Sequence, residues 1–518
     1  MPSISSISTA TKFLSLFLLL VHVSTQTLAT NPKTNFPKDS LVLGLVHSRT
    51  SLLTPKKGYN FISKKRMKAM DQTDGDDNVI EPLREIRDGY LMSLSIGTPP
   101  QVVQVYMDTG SDLTWVPCGN LSFDCQDCEE YQNNISGPRL AAFLPTHSST
   151  SIRDTCGSSF CMDIHSSDNP FDPCTIAGCS LASLVKGTCP RPCPSFAYTY
   201  GASGVVTGSL TRDVLFTHGN YNNNNNNNKQ IPRFCFGCVG ATYREPIGIA
   251  GFGRGLLSLP FQLGFSHKGF SHCFLPFKFS NNPNFSSPLI LGNLAISSKD
   301  ENLQFTPLLK SPMYPNYYYI GLESITIGNG DNNFRFGVSF KLREIDTKGN
   351  GGMLIDSGTT YTHLPEPLYS QLISNLELVI GYPRAKQVEL NTGFDLCYKV
   401  PCKNNNSSFV DDAQLPSITF HFLNNVSVVL PQGNNFYAMA APINSTVVKC
   451  LLYQSMDGVG DDNDSDDNGP AGIFGSFQQQ NIEVVYDLEK ERLGFQPMDC
   501  VSVAAKQGLH KNVRRNES

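Results

Sequence analysis

The chain has 518 residues and a mass of 56.9 kDa, more than one hydrophobic core ordinarily organises, so at least two domain-sized units are expected. Charged residues make up 16% against 40% apolar, with 42 Gly and 33 Pro spread widely, a balance that favours strands and turns over long helices. The net charge is −5 and no basic stripe is present, which sets nucleic acid aside as a partner.

At the start of the chain, Lys12 precedes an apolar run from Phe13 to Val21, followed by small and polar residues through Ala29. That order predicts a signal peptide over residues 1–29, cleaved near Ser24–Thr30, and the run is too short to span a bilayer. No later segment approaches the roughly 20 apolar residues of a membrane span. The segment ending Lys511-Asn512-Val513-Arg514-Arg515 is polar, so residues 504–518 are expected to form a tail without a lipid anchor.

Residues 30–87 differ in character from the rest of the chain. They hold Lys64, Lys65, Arg66 and Lys68, then the acidic stretch Asp71 to Asp77. Residues 1–80 carry ten basic and five acidic side chains, leaving −10 for the remainder. A basic leader before an acidic body predicts an electrostatically docked prosegment, with a disordered basic arm as the alternative.

From Tyr90 the pattern turns to strand and turn. Tyr90 to Ile96 alternates, Gly97-Thr98-Pro99-Pro100 breaks the run, and Val103, Val105 and Met107 alternate again into Asp108. Helices are expected to be few, with Pro367 to Leu378 the best candidate. The Asn222–Asn228 and Asp461–Asp467 runs are expected to be loops.

One set of parts occurs twice. An apolar strand delivers Asp108-Thr109-Gly110-Ser111, and later Met353-Leu354-Ile355 delivers Asp356-Ser357-Gly358-Thr359. Each is followed by an apolar strand closed by glycine, Gly248-Ile249-Ala250-Gly251 and then Gly472-Ile473-Phe474-Gly475. This doubling predicts an all-β protein of two similar lobes, residues 88–282 and 283–503.

All 16 cysteines lie between Cys118 and Cys500, which fits a disulfide framework in a secreted protein. Cys125-x-x-Cys128 and Cys235-x-x-Cys238 have metal-ligand spacing, but no second matched set accompanies either, so no metal or other cofactor is expected. Twelve cysteines fall up to Cys273 and four after it, so each half has the parity to close on itself without being required to. Sequons at Asn120, Asn134, Asn284, Asn425 and Asn444 are compatible with glycosylation.

An Asp on a tight strand-to-turn junction, with a glycine behind it, is exposed to whatever meets that loop. Two such loops meeting would bring Asp108 and Asp356 together, and like charges that close share one proton. One carboxyl then serves as general base on a water while the other donates to a carbonyl oxygen. Aspartic proteases are the standard example of such a dyad, whose titration belongs to the pair. A single Asp-Thr-Gly is weak evidence, and the coincidence of two is what carries the expectation.

On these residues the sequence resembles the pepsin-like aspartic proteases, and within them the plant nepenthesin-like group. The resemblance also rests on Ile96-Gly97-Thr98-Pro99-Pro100-Gln101, Trp115-Val116-Pro117-Cys118, Gly248 to Gly255 and Phe477-Gln478-Gln479-Gln480-Asn481. The nine cysteines from Cys118 to Cys193 look like that group's insert. The resemblance implies that Thr109 and Ser357 brace the two loops, while Ser111 and Thr359 hydrogen-bond the dyad beside Gly110 and Gly358. It implies that Tyr200, before Gly201, is the flap tyrosine and that the Trp115 indole supports it. Plant members usually carry an acidic or hydroxyl residue two positions after that tyrosine, where this chain has Ala202.

The expectation is therefore a secreted, monomeric endopeptidase that hydrolyses proteins or peptides in acid. Its destination would be extracellular or vacuolar, since both begin with the same signal. The alternative is a catalytically silent relative that binds another protein, as the xylanase inhibitors of this fold do.

Overall fold

The strand-rich composition folds as expected. The computed structural model describes residues 40–47, 89–119, 124–128, 142–166, 172–201, 204–217, 229–279, 285–296, 302–329, 332–405, 408–411, 414–439, 445–456, 469–507 and 509. The expected signal segment, the Lys64–Lys68 cluster, the Asp71–Asp77 stretch, the Asn222–Asn228 and Asp461–Asp467 runs, and Ala202 and Ser203 of the expected flap lie outside them. So do the sequons at Asn120, Asn134, Asn284 and Asn444, and all of the 504–518 tail after Gln507 except Leu509.

The largest sheet has 15 strands. Its middle joins strands from distant parts of the sequence. Ile482–Asp487 pairs with Gly269–Cys273, which pairs in turn with Ser287–Gly292. From there the order continues through Ser40–His47 to Tyr90–Ile96 and Gln101–Asp108. The two halves of the chain thus share one hydrogen-bonded surface, and together with the sheets of the second half they form a two-lobed pepsin-like fold. The expected helix at Pro367–Leu378 is found at Leu368–Val379, with Leu368, Tyr369, Leu372 and Leu376 on its buried face.

The leader also contributes the strand Ser40–His47, while the basic cluster expected to dock it lies outside the described residues. It runs antiparallel to Ser287–Gly292 over six residue pairs, and Leu41 and Leu45 are buried in the main core. Ser40 also accepts a hydrogen bond from the Leu294 amide through its hydroxyl, capping a short helix. Apolar burial and backbone pairing hold this segment.

The cysteines form seven disulfides among the described residues. Five restrain the first half, including Cys118–Cys238, Cys156–Cys174, Cys161–Cys193 and Cys179–Cys189. Cys397–Cys450 closes within the second half, but Cys273–Cys500 links the two, so the halves do not each close on themselves. This leaves Cys235 and Cys402 as buried thiols. Burial raises the Cys235 thiol far above its ordinary value, and a thiol so held is a poor nucleophile.

Candidate active site

Two matching three-strand units build the site. Gly248–Gly251 runs parallel to Gln101–Asp108, with Gly251 opposite Asp108, and pairs antiparallel with Trp115 through Ile249. Gly472–Phe474 runs parallel to Met353–Ile355 and pairs antiparallel with His363 through Ile473. The glycines that close the apolar strands have a steric reason. A Cβ on Gly251 would lie 2.2 Å from the Asp112 carbonyl carbon, and one on Gly475 would lie 2.5 Å from that of Tyr361. Only glycine lets each loop pass that close.

Asp108 and Asp356 meet where these units converge, and both are almost fully buried. Their surroundings match bond for bond. Asp108 accepts from the Gly110 amide at 2.9 Å and the Ser111 hydroxyl at 2.5 Å. Asp356 accepts from the Gly358 amide at 2.7 Å and the Thr359 hydroxyl at 2.5 Å. Each carboxylate faces the glycine of the opposite loop. A Cβ on Gly110 would lie 2.6 Å from the Asp356 carboxyl carbon, and one on Gly358 would lie 2.2 Å from Asp108 Oδ1.

Beneath the carboxylates, Thr109 and Ser357 tie the loops together. The Thr109 amide donates to Ser357 Oγ, and the Ser357 amide donates to Thr109 Oγ1. Each hydroxyl then donates to a carbonyl of the opposite strand, Thr109 to Ile355 and Ser357 to Met107. Both amides and both hydroxyls of this buried joint are thereby engaged, as burial favours.

Trp115 is buried, and its indole N–H donates to the Tyr200 hydroxyl at 2.8 Å. The Tyr200 amide donates to the Gly204 carbonyl at 2.7 Å, closing the hairpin base around Gly201. Ala202 and Ser203, at its tip, lie outside the described residues.

Several residues at the site were not singled out from sequence. Tyr317 lies in the field of both dyad carboxyls: burial raises its phenol to about 12, helped by the charges of Asp112, Asp108 and Asp356. Gln479 donates its side-chain amide to the Asp356 and Phe474 carbonyls, fixing the second loop from behind. Asp112, four residues after Asp108, is buried and accepts from the Gly255 amide at 2.7 Å. A run of tyrosines and a run of glutamines advertise bulk and polarity, and nothing in their spacing says which member turns toward the dyad.

Neither pair with metal-ligand spacing offers two thiolates. Cys125 and Cys128 are bonded to each other, and Cys238 is bonded to Cys118. The sulfurs of Cys156, Cys174, Cys179 and Cys189 gather within 4.8 Å of one another, but as two disulfides they present no thiolate either.

Comparison with known proteins agrees with this geometry. The family described as Xylanase inhibitor N-terminal matches residues 90–293, and Xylanase inhibitor C-terminal matches residues 317–497. A probable aspartyl protease of Arabidopsis thaliana is 34% identical over 448 residues, covering 80% of this chain and 83% of that protein. The aspartic proteinase nepenthesin-2 of Nepenthes gracilis is 30% identical, covering 84% of each chain. Among solved structures, edgp superposes with a TM-score of 0.58 at 19% identity over 90% of this chain and 96% of its own. Conglutin gamma, a basic 7S globulin from lupine seeds, gives 0.55 at 17% identity over 90% and 98%. The two structures speak for the fold alone, whereas the sequence relatives carry the assignment. The chain belongs to the pepsin-like aspartic protease family, in its plant nepenthesin-like group.

Proposed function

We propose that the protein is a secreted aspartic endopeptidase, with Asp108 and Asp356 as its catalytic pair. The observation that carries this reading is the matched environment of the two carboxylates. Each accepts one amide and one hydroxyl from its own loop and abuts the glycine of the other. Nothing in the proposed chemistry requires a metal. A water held between the carboxyls loses its proton to one of them and attacks the scissile carbonyl, whose oxygen receives a proton from the other. Since the pair must share one proton, activity is expected in acid.

Tyr200 and Gly201 would close over an extended protein or peptide substrate, with Trp115 fixing the tyrosine from below. Residues 1–29 would be removed on secretion and the 30–87 leader on maturation. Lobes 88–282 and 283–503 would work as a monomer. Seven disulfides among the described residues support an oxidising destination, extracellular or vacuolar. Among those residues no helix is long and apolar enough to cross a membrane.

A second reading comes from the matched family descriptions, which carry the name of an inhibitor. A silent binding protein would need neither carboxylate, yet both stand here with their hydrogen-bond donors. The deciding assay is hydrolysis of a denatured protein by the leader-free chain from strongly acid to neutral pH, with and without pepstatin. Acid hydrolysis blocked by pepstatin supports the endopeptidase. A folded protein inactive at every pH supports the binding protein.

A further inference from the structure

Asp112 is a buried carboxyl beside the dyad loop that the proposed mechanism does not use. It is 7% exposed and sits in a cradle made for a carboxyl group. A Cβ on Gly253 would lie 2.3 Å from its Oδ1, and one on Gly255 would lie 2.4 Å from its Oδ2. The Gly255 amide donates to Oδ1 at 2.7 Å, and the Asn316 side-chain amide hydrogen-bonds the same carboxyl. The joint extends beyond it. The Arg254 amide donates to the Asn316 carbonyl, and the Arg254 guanidinium meets Glu491 at 2.6 Å. The Gly253 amide donates to the Ser111 carbonyl, next to the dyad loop itself.

We propose that Asp112 is a positioning residue for the dyad, locking the loop that carries Asp108 to the Gly253–Gly255 turn and, through Asn316, to the second half of the chain. It acts on the reaction through the loop. The activity arm of its test rests on the endopeptidase reading, and the folding arm does not.

The groups facing Asp112 make its lock proton-dependent. Asp108 on its own loop and Asp163 from the insert helix Ser159–Ile164 present like charge. Tyr198 from the flap strand, and Tyr317 and Tyr318 after Asn316, present neutral phenols. The nearby cation, Arg254, is engaged by Glu491. Burial is the leading cause that raises the Asp112 carboxyl from 3.8 to about 7, and the charge of Asp108 is the smallest contributor. Ionisation therefore strains the joint more than it perturbs the dyad directly. Its folded value lies above its unfolded one, so the stability it contributes is full below 3.8 and is lost as pH rises to about 7.

The test compares the full chain with Asp112→Asn and Asp112→Ala. Asparagine keeps the shape and an acceptor for the Gly255 amide but cannot ionise, whereas alanine removes the lock. Melting temperature is followed from acid to neutral pH, and the ratio of kcat/KM at neutral to acid pH is followed on one peptide. Relative to Asp112→Asn, the wild-type Tm should fall across the window from 3.8 to about 7, because every other titrating group, His272 included, is common to both proteins. Asp112→Ala should melt lower at every pH, and the neutral-to-acid activity ratio of Asp112→Asn should exceed that of the wild type. Parallel melting curves for wild type and Asp112→Asn would overturn the proposal, as would a lower activity ratio in Asp112→Asn, the mark of direct charge coupling to the dyad. A chain without protease activity leaves the melting curves to decide.

Discussion

The Thr109 amide donates to Ser357 Oγ at 3.0 Å while the Ser357 amide donates to Thr109 Oγ1 at 2.9 Å, so two residues 248 positions apart each cap the other's loop. This reciprocal pair holds the two aspartate loops in register across the junction of the halves. A carboxyl pair whose loops could slide would lose the shared geometry on which its chemistry depends.

Removing either hydroxyl should therefore cost stability and activity together. Thr109→Val keeps the side-chain shape, deletes one donor and strands the Ser357 amide in the core. The expected loss is about 2–4 kcal/mol, the sum of two hydrogen bonds and an unsatisfied buried donor. Ser357→Ala should cost about the same. Because both act on one joint, the double variant should cost clearly less than the sum. Urea unfolding of the four proteins measures this, and strict additivity would show that the two hydroxyls work independently.

His272 sets a limit on the acid side. It is buried in the shared sheet, stacked on Phe274 with ring centroids 4.0 Å apart, and neither ring nitrogen has a partner among the described residues. Burial lowers its imidazole from 6.5 to about 3. The unfolded chain takes up the proton first, so the stability tied to the neutral ring is lost as pH falls from 6.5 toward 3. His272→Phe keeps a flat ring and removes the proton site. Relative to wild type it should gain stability on going from neutral pH to pH 3, by at most about 4 kcal/mol. Comparing denaturant midpoints at the two pH values cancels any packing cost, and an unchanged difference would contradict the assignment.

The leader strand makes a third expectation. Leu45 is fully buried between Ser287–Gly292 and the core, so Leu45→Ala should destabilise the full-length chain by about 2–4 kcal/mol. A leader held by charge alone would tolerate this substitution and respond to salt instead. Thermal melts of the variant, and of wild type at low and high salt, separate the two.

The doubled Asp loops were legible in the sequence because the chemistry demands the same short motif at both places, and each glycine there has a steric reason. Trp115 and Tyr200 were placed through the family resemblance, and they do share a hydrogen bond. Three things escaped. The strand Ser40–His47 was obscured by the basic cluster behind it, because charge is conspicuous in a sequence and a short alternation is not. The link Cys273–Cys500 joins positions 227 apart, and parity cannot select such a partner. Asp112 and Asn316 meet only because the turn at Gly253–Gly255 folds between them, a contact set by tertiary packing with no local signal.

The most direct test of the account is the kcat/KM of leader-free Asp108→Asn and Asp356→Asn on one peptide in acid, beside the wild type, with folding checked by thermal melts. A catalytic pair that works as a unit predicts that each single substitution removes about a thousandfold or more of the activity, and that the double variant loses little beyond either. A folded variant that keeps activity within about tenfold of wild type would show that its aspartate is not part of the catalytic pair.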